Sequence, residues 1–320
     1  MLGGNVSLPS LILQEIFEHL GRHVLQAVLV SHDWYLFLKH RRYWKQIRIR
    51  IDKDNVGMVM ASDRLNLVAE VELHHLPPQN MPKLFQYLAA NQTLKEKTLK
   101  CVCICCEKNN YDVDTPELNE EDVVLGQVDL DDIACVVSQL VHFEVDCPKD
   151  FRWLSDIQVE HIVRSIAQST NLPLKFLRLG DKTFYSCTPE SYAAAMIQLD
   201  EIDIRNCYVS GEQLTKLCES IINCTRKKPK KIKSHGDEEV APEVLAKALC
   251  KIQSVSWRFE IDSNVLLMLC EDILNESKLE LRRLKLVDIS LTQLPSQLLA
   301  HALCKLHTVK LVRAYEFILD

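Results

Sequence analysis

The sequence predicts an α/β protein built by repetition: short strands alternating with helices in a horseshoe-shaped solenoid, preceded by a small all-α unit of three helices. Three observations predict this. After residue 46, short apolar runs recur at near-regular spacing. Apolar positions at helical spacing lie between them. Before residue 46 the pattern is helical only. The expected division is residues 1–46 for the helical unit and 47–320 for the solenoid, with an acidic insertion at about 107–132.

The helical unit opens at Pro9, which suits the first turn of a helix because its missing N–H has no partner there. Ile12, Leu13, Ile16, Phe17 and Leu20 follow. At about 100° per residue they fall in one arc of roughly 140°. Gly21 supplies a stop. A second helix runs from His23 to Val30 and is apolar almost all round. Ser31 caps a third helix carrying Trp34, Phe37 and Leu38, and Trp44 follows. Three helices of this size are too small to bury that much apolar surface among themselves. The surplus either packs on the rest of this chain or forms a handle for a separate protein.

Leu8-Pro9-Ser10-Leu11-Ile12-Leu13-Gln14-Glu15-Ile16-Phe17-Glu18-His19-Leu20 resembles the opening of an F-box. Leu29-Val30-Ser31-His32-Asp33-Trp34 resembles its continuation Leu-Val-Cys-x-x-Trp, and Tyr43-Trp44-Lys45 its closing Leu-Trp-Lys. Leu11 departs from the usual Glu, Ser31 from Cys and Tyr43 from Leu. The resemblance implies that residues 7–47 bind a Skp-family adaptor and, through it, a cullin–RING complex. It makes Leu8, Pro9, Ile12, Leu13, Ile16, Phe17, Val30 and Trp34 the adaptor-facing or supporting residues.

From Ile47 the period changes. Ile47, Ile49 and Ile51 alternate with Arg48, Arg50 and Asp52, a half-buried strand. Further strands centre near Glu72, Cys101, Glu144, Arg178, Asp203, Ile232, Trp257, Lys285 and Lys310. Helices are read at Val159–Ile166, Leu214–Ile221, Leu245–Leu249, Leu266–Ile273 and Leu298–Leu303. From Arg178 onward the strand centres are 25, 29, 25, 28 and 25 residues apart. This recurrence, with Ile202-x-Ile204-x-x-Cys207, resembles a ribonuclease-inhibitor-like leucine-rich repeat, whose units span about 20–29 residues. A conventional α/β sheet is the alternative. The resemblance implies strands on the concave side and helices on the convex side.

Side chains between the core positions then face the concavity. Glu72, Glu144 and Asp203 come early, with Arg178 among them, and Arg258, Lys285 and Lys310 come late. The expected inner surface is acidic first and basic last, either an ordinary solvated face or a recognition surface for a protein substrate.

Two segments interrupt the repeats. Residues 107–132 hold ten Asp or Glu against one Lys and read as a disordered loop. Arg226-Lys227-Lys228-Pro229-Lys230-Lys231-Ile232-Lys233 is a basic run. It reads either as a nuclear-localisation patch or as cations at a helix C-terminus.

The net charge of −6 is wrong for a general nucleic-acid binder. No stretch reaches the ~18 apolar residues of a membrane span, and residues 1–10 lack the pattern of a signal peptide. Thirteen Cys spread along such a chain read as thiols. Cys103 and Cys106 form a C-x-x-C, but no second pair exists to complete a structural zinc site. Gly-rich phosphate loops and nucleophile motifs are absent from the sequence. The expectation is a non-enzymatic substrate-recognition subunit of an SCF-type ubiquitin ligase, without cofactor, nucleic-acid or membrane partner, in cytoplasm and/or nucleus. A non-ligase repeat scaffold is the alternative.

Overall fold

The computed structural model describes residues 48–61, 65, 70–74, 76, 78–91, 97–102, 125–146, 154–179, 184–205, 207–224, 228–234, 240–258, 263–287 and 295–312. The expected F-box, with Leu8, Pro9, Ile12, Leu13, Ile16, Phe17, Val30 and Trp34, lies outside the described residues.

Among the described residues, ten strands alternate with helices along the chain. The strands are β1 (Arg48–Ile51), β2 (Glu70–His74), β3 (Thr98–Val102), β4 (His142–Asp146), β5 (Phe176–Arg178), β6 (Glu201–Asp203), β7 (Lys231–Ser234), β8 (Ser254–Arg258), β9 (Arg283–Val287) and β10 (Thr308–Val312). They form one sheet in chain order, and every neighbouring pair is parallel. The intervening helices are α1 (Val56–Met60), α2 (Met81–Asn91), α3 (Leu130–Gln139), α4 (Asp156–Gln168), α5 (Pro189–Met196), α6 (Gly211–Asn223), α7 (Pro242–Cys250), α8 (Ser263–Asn275) and α9 (Ser296–Cys304). Each helix packs against the next, so the helices form one layer over one face of the sheet. An α/β sheet in strict chain order is compatible with a repeat horseshoe.

The core is a continuous column. From β1 to β9 the second residue of each strand points into it: Ile49, Val71, Leu99, Phe143, Leu177, Ile202, Ile232, Val255 and Leu284 are all buried. In-register parallel pairing stacks these apolar side chains on one another from β1 to β9. No unit could bury its share alone.

Two helix types alternate. In α4, α6 and α8 the buried positions are Val159-Ile162-Val163-Ile166, Leu214-Leu217-Cys218-Ile221 and Leu266-Leu269-Cys270-Ile273. In α3, α5 and α7 they are Ile133-Ala134-Val136-Val137, Tyr192-Ala193-Ala195-Met196 and Leu245-Ala246-Ala248-Leu249. The buried Ala in the second type lets the next helix close in. The true period is therefore two strand–helix units.

The two types are also joined differently. Ser155 and Ser210 cap α4 and α6 with complete capping boxes, Gln158 and Gln213 being the reciprocal partners. Both glutamines are buried. The Gln213 amide also donates to the carbonyls of Phe184 (2.6 Å) and Cys187 (2.7 Å), in the turn that precedes α5. The Gln158 amide donates likewise to Leu125 (2.6 Å) and Val128 (3.4 Å), in the turn that precedes α3. One side chain thus caps its own helix and fastens the previous unit.

Two expectations need correction. Helices α1, α2, α3 and α5 were not among the five read from the sequence. The C-terminal end of the acidic segment is ordered: residues 125–128 form a turn, and Asp129 caps α3 by accepting from the Asp131 N–H at 2.8 Å. Asp131 and Asp132 then occupy the first turn of α3, where the helix dipole favours negative charge. Residues 107–124 lie outside the described residues.

Candidate functional site

The sheet face opposite the helices carries the charged side chains. Strand alternation places the first and third residue of each strand on it. Strand pairing arranges the third residues in one row: Arg50, Glu72, Lys100, Glu144 and Arg178, then Asp203, Lys233, Ser256, Lys285 and Lys310. Neighbours in such a row are about 4.8 Å apart along the backbone. From Arg50 to Lys233 the signs alternate without exception. The first residues form a parallel row of Glu70, Thr98, His142, Phe176, Glu201, Lys231, Ser254, Arg283 and Thr308.

The alternating part is zipped by ion pairs across strands. Lys100 bridges Glu70 (2.9 Å) and Glu144 (3.9 Å). Arg178 donates to Glu144 at 3.0 Å, and His142 Nε2 lies 3.2 Å from the other Glu144 oxygen. The hydrogen bond with His142, followed by that from Arg178 and its charge, outweighs burial and holds the Glu144 carboxyl at about 2. The His142 ring stacks on Phe176 of the next strand at 4.2 Å, which fixes its direction. Farther along, Lys233 reaches Glu201 (2.5 Å) and Asp203 (3.4 Å), while Lys231 reaches Glu201 (3.0 Å). Arg205 grips Asp203 bidentately at 2.8 and 2.6 Å. Burial would raise Glu201 and Asp203. The hydrogen bonds from Lys233 and Lys231 to Glu201, and from Arg205 to Asp203, win and lower both.

After Lys233 the pattern breaks. Strands β8, β9 and β10 contain no acidic residue. Ser256 occupies the place of an acid, and Lys285 and Lys310 then stand directly opposite one another. Arg283, Lys285, Thr308 and Lys310 are all exposed. None of the three cations has an ion-pair partner among the described residues.

The expectation of an inner surface acidic first and basic last is thus half corrected. The early part is balanced, not acidic, because cations from alternate strands neutralise the acids. Asp203 does not face a substrate: Arg205 and Lys233 cover it until it is buried. Glu72, Glu144 and Arg178 do lie on the open face but are occupied within the protein. Lys285 and Lys310 stand as expected, exposed and at the end of the row. The side chain of Arg258 lies outside the described residues. Arg283 joins these late cations, and its place between Ser254 and Thr308 of the neighbouring strands emerges only from the strand pairing.

The described lysines of the basic run are struts between units. Lys228 pairs with Glu280 (2.8 Å) and Lys230 with Asp200 (3.4 Å), while Lys231 and Lys233 belong to the ladder above. Lys228, Lys230, Lys251, Glu280 and Arg282 border an open recess of about 460 Å³ beside the starts of β7, β8 and β9. Lys251 is held by Glu276 at 3.0 Å.

The described thiols are mostly inert. Burial pushes Cys187 up to about 11, Cys218 and Cys250 to about 12, Cys270 to about 11, and Cys101 higher still. Such thiols carry almost no thiolate at neutral pH. Among the described residues, no cluster of three metal-binding side chains occurs. Cys103, Cys105 and Cys106 lie outside them. No described helix is long and apolar enough to cross a membrane. No protein-family profile matches the sequence, and no curated protein matches it.

Proposed function

We propose that this protein is the substrate-recognition subunit of an SCF-type ubiquitin ligase, its first 46 residues acting as an F-box and its remainder as a leucine-rich-repeat horseshoe. The observation that carries the reading is the run Leu8 to Trp44, whose resemblance to an F-box comes with more apolar helix surface than three short helices can hide. The fold supports it from the other side: ten in-register parallel strands offer a long open face suited to holding another polypeptide. In this reading Leu8, Pro9, Ile12, Leu13, Ile16, Phe17, Val30 and Trp34 dock a Skp-family adaptor that links to a cullin–RING complex. The repeat face holds the substrate. The chain contributes binding energy and orientation, and transfer is accelerated by bringing the target lysine close to a charged conjugating enzyme.

Affinity purification of the full chain beside a Leu8→Ala/Pro9→Ala variant tests this. Adaptor and cullin are expected with the wild type and lost from the variant, while a partner held by the repeats is retained. If the variant keeps the cullin, the F-box assignment fails. Adaptor without cullin on the wild type favours a repeat scaffold that works outside a ligase.

A further inference from the structure

We infer that the open sheet face of β8, β9 and β10 is a docking site for an extended, Asp/Glu-rich segment of a partner protein. As the substrate class of the receptor proposed above, the inference rests on that reading. As a binding site, it stands on the geometry of these three strands.

The departure from the rest of the sheet carries it. Every odd strand places a cation at the third position: Arg50, Lys100, Arg178, Lys233 and Lys285. Every even strand up to β6 answers with an acid: Glu72, Glu144 and Asp203. The next two even strands do not. β8 supplies Ser256, and β10 supplies Lys310 opposite Lys285. Like charges directly opposite on adjacent strands destabilise a sheet. The fold avoids that arrangement throughout the alternating row and accepts it here, where Arg283 adds a third cation one pleat away. From β3 to β7 the cations of this face, Lys100, Arg178, Lys231 and Lys233, are occupied by the protein's own carboxylates, while Arg50 on the first strand is exposed but faces Glu72 across the strands. On β9 and β10 the cations are exposed, and carboxylates from outside would complete the ladder.

The surroundings fit the same ligand. Ser254, Ser256 and Thr308 flank the cations with small hydroxyl side chains, leaving the backbone approachable and adding donors. Along a strand, Arg283 and Lys285 project from the same face about 6.7 Å apart, the spacing of alternate residues in an extended peptide. The site recognises carboxylates in an extended chain rather than a compact ligand, because its cations lie on a flat sheet and not in an enclosed pocket. Long-range attraction of this kind raises association rates and weakens with salt.

The test uses the full-length protein and a fluorescein-labelled oligo-glutamate peptide in fluorescence anisotropy. The wild type should bind it at low ionic strength, with affinity falling as salt rises. Lys285→Glu/Lys310→Glu should weaken binding by about tenfold or more, on the scale of two charge reversals at a solvated site. Lys285→Ser/Lys310→Ser should weaken it too without lowering the melting temperature, since it removes a repulsion; a merely structural pair of lysines would show the reverse. Lys228→Ser, in the strut to Glu280, should leave binding unchanged. Wild-type binding that survives the charge reversal, or that is absent, overturns the site. So does tighter binding of an oligothymidylate, which would make this a nucleic-acid surface. Adaptor and cullin recovery, measured on the same variants, should be unaffected by the reversal. Their absence from the wild type overturns the receptor reading alone.

Discussion

Gln213 is the residue through which one unit holds its predecessor, and replacing it should show what that link is worth. Three hydrogen bonds converge on its buried amide. The side-chain nitrogen donates to Phe184 O and Cys187 O, and the side-chain oxygen accepts from Ser210 N at 3.0 Å. In Gln213→Ala the Phe184 carbonyl keeps one donor, the Cys187 N–H at 2.8 Å. Among the described residues the Cys187 carbonyl and the Ser210 N–H have no other partner, so both are expected to go unsatisfied. At about 1–3 kcal/mol for each stranded buried group, the expected loss is about 3 kcal/mol. Gln213→Glu sharpens the test, because a carboxylate would face two carbonyl oxygens. Its folded-state pKa must rise, so the folded state binds more protons than the unfolded chain. The variant should therefore be most stable at acid pH and lose stability as pH climbs above about 4.3, the ordinary glutamate value. Urea denaturation across pH measures both variants. Hydrogen exchange of residues 184–187 locates the damage in a chain whose units need not unfold together. A loss below about 0.5 kcal/mol for Gln213→Ala, or identical pH profiles for the two variants, would refute the reasoning.

The acidic ladder should confer a stability that disappears in acid. The Glu144 carboxyl is depressed from 4.5 to about 2, so its contribution is complete above about pH 4.5 and is lost as pH falls toward 2. The shift corresponds to about 3 kcal/mol at full value, reduced by solvent screening to about 1–2 kcal/mol, and Glu144→Gln should abolish that slope in acid denaturation. Tyr192 is fully buried, and its hydroxyl has no hydrogen-bond partner among the described residues. Tyr192→Phe should therefore stabilise by about 1 kcal/mol in the same denaturation assay. Among the described cysteines, iodoacetamide followed by peptide mapping should label exposed Cys135 and Cys304 first, leaving Cys101, Cys218, Cys250 and Cys270 unmodified in the folded chain. Ser256→Asp should restore the alternation between Lys233 and Lys285. It is expected to raise thermal stability by roughly 0.2–1 kcal/mol while weakening oligo-glutamate binding.

The strands were legible because their signal is local. Alternation in Arg48–Ile51, Glu70–His74 and Thr308–Val312 shows in a few consecutive letters, and all ten strands lie at the centres read from the sequence or within a residue or so of them. The missed helices hid for separate reasons. α2 begins with Met81-Pro82, which reads as a breaker although Pro is tolerated in a first turn. α3 starts within an acidic stretch whose composition looks disordered, though its aspartates act as cap and first turn. α5 is so rich in alanine that its apolar face has little contrast. The signal that would have found α4 and α6 more firmly was Ser-x-x-Gln, at Ser155–Gln158 and Ser210–Gln213. On the open face, sequence supplied the charged residues but not their neighbours. Whether Glu144 meets Lys100 and Arg178 depends on register across gaps of dozens of residues, and only pairing reveals that β8 to β10 are left unanswered.

Register also explains why the units resemble one another so imperfectly. In a parallel sheet whose strands stack in order, a perfect repeat would place each residue beside its own copy about 4.8 Å away. For Val or Leu in the core this is favourable. For a charged residue on the open face it stacks like on like in a continuous line. The shortest repeat that avoids this is a double one, with opposite charges on odd and even strands. The helices keep the same parity: α3, α5, α7 and α9, each with a buried Ala, follow cationic strands, and α4 and α6 follow acidic ones. The closest internal match joins units two apart, Leu245-Ala246-Lys247-Ala248-Leu249-Cys250-Lys251 with Leu299-Ala300-His301-Ala302-Leu303-Cys304-Lys305. Where an even strand gives up its acid, each neighbour depends on its other side: Lys233 keeps Glu201 and Asp203, whereas Lys285 has Ser256 on one side and Lys310 on the other. Losing Asp or Glu at β8 and β10 therefore does more than remove two charges. It releases the cations of β9 and β10 to whatever carboxylates reach them from outside.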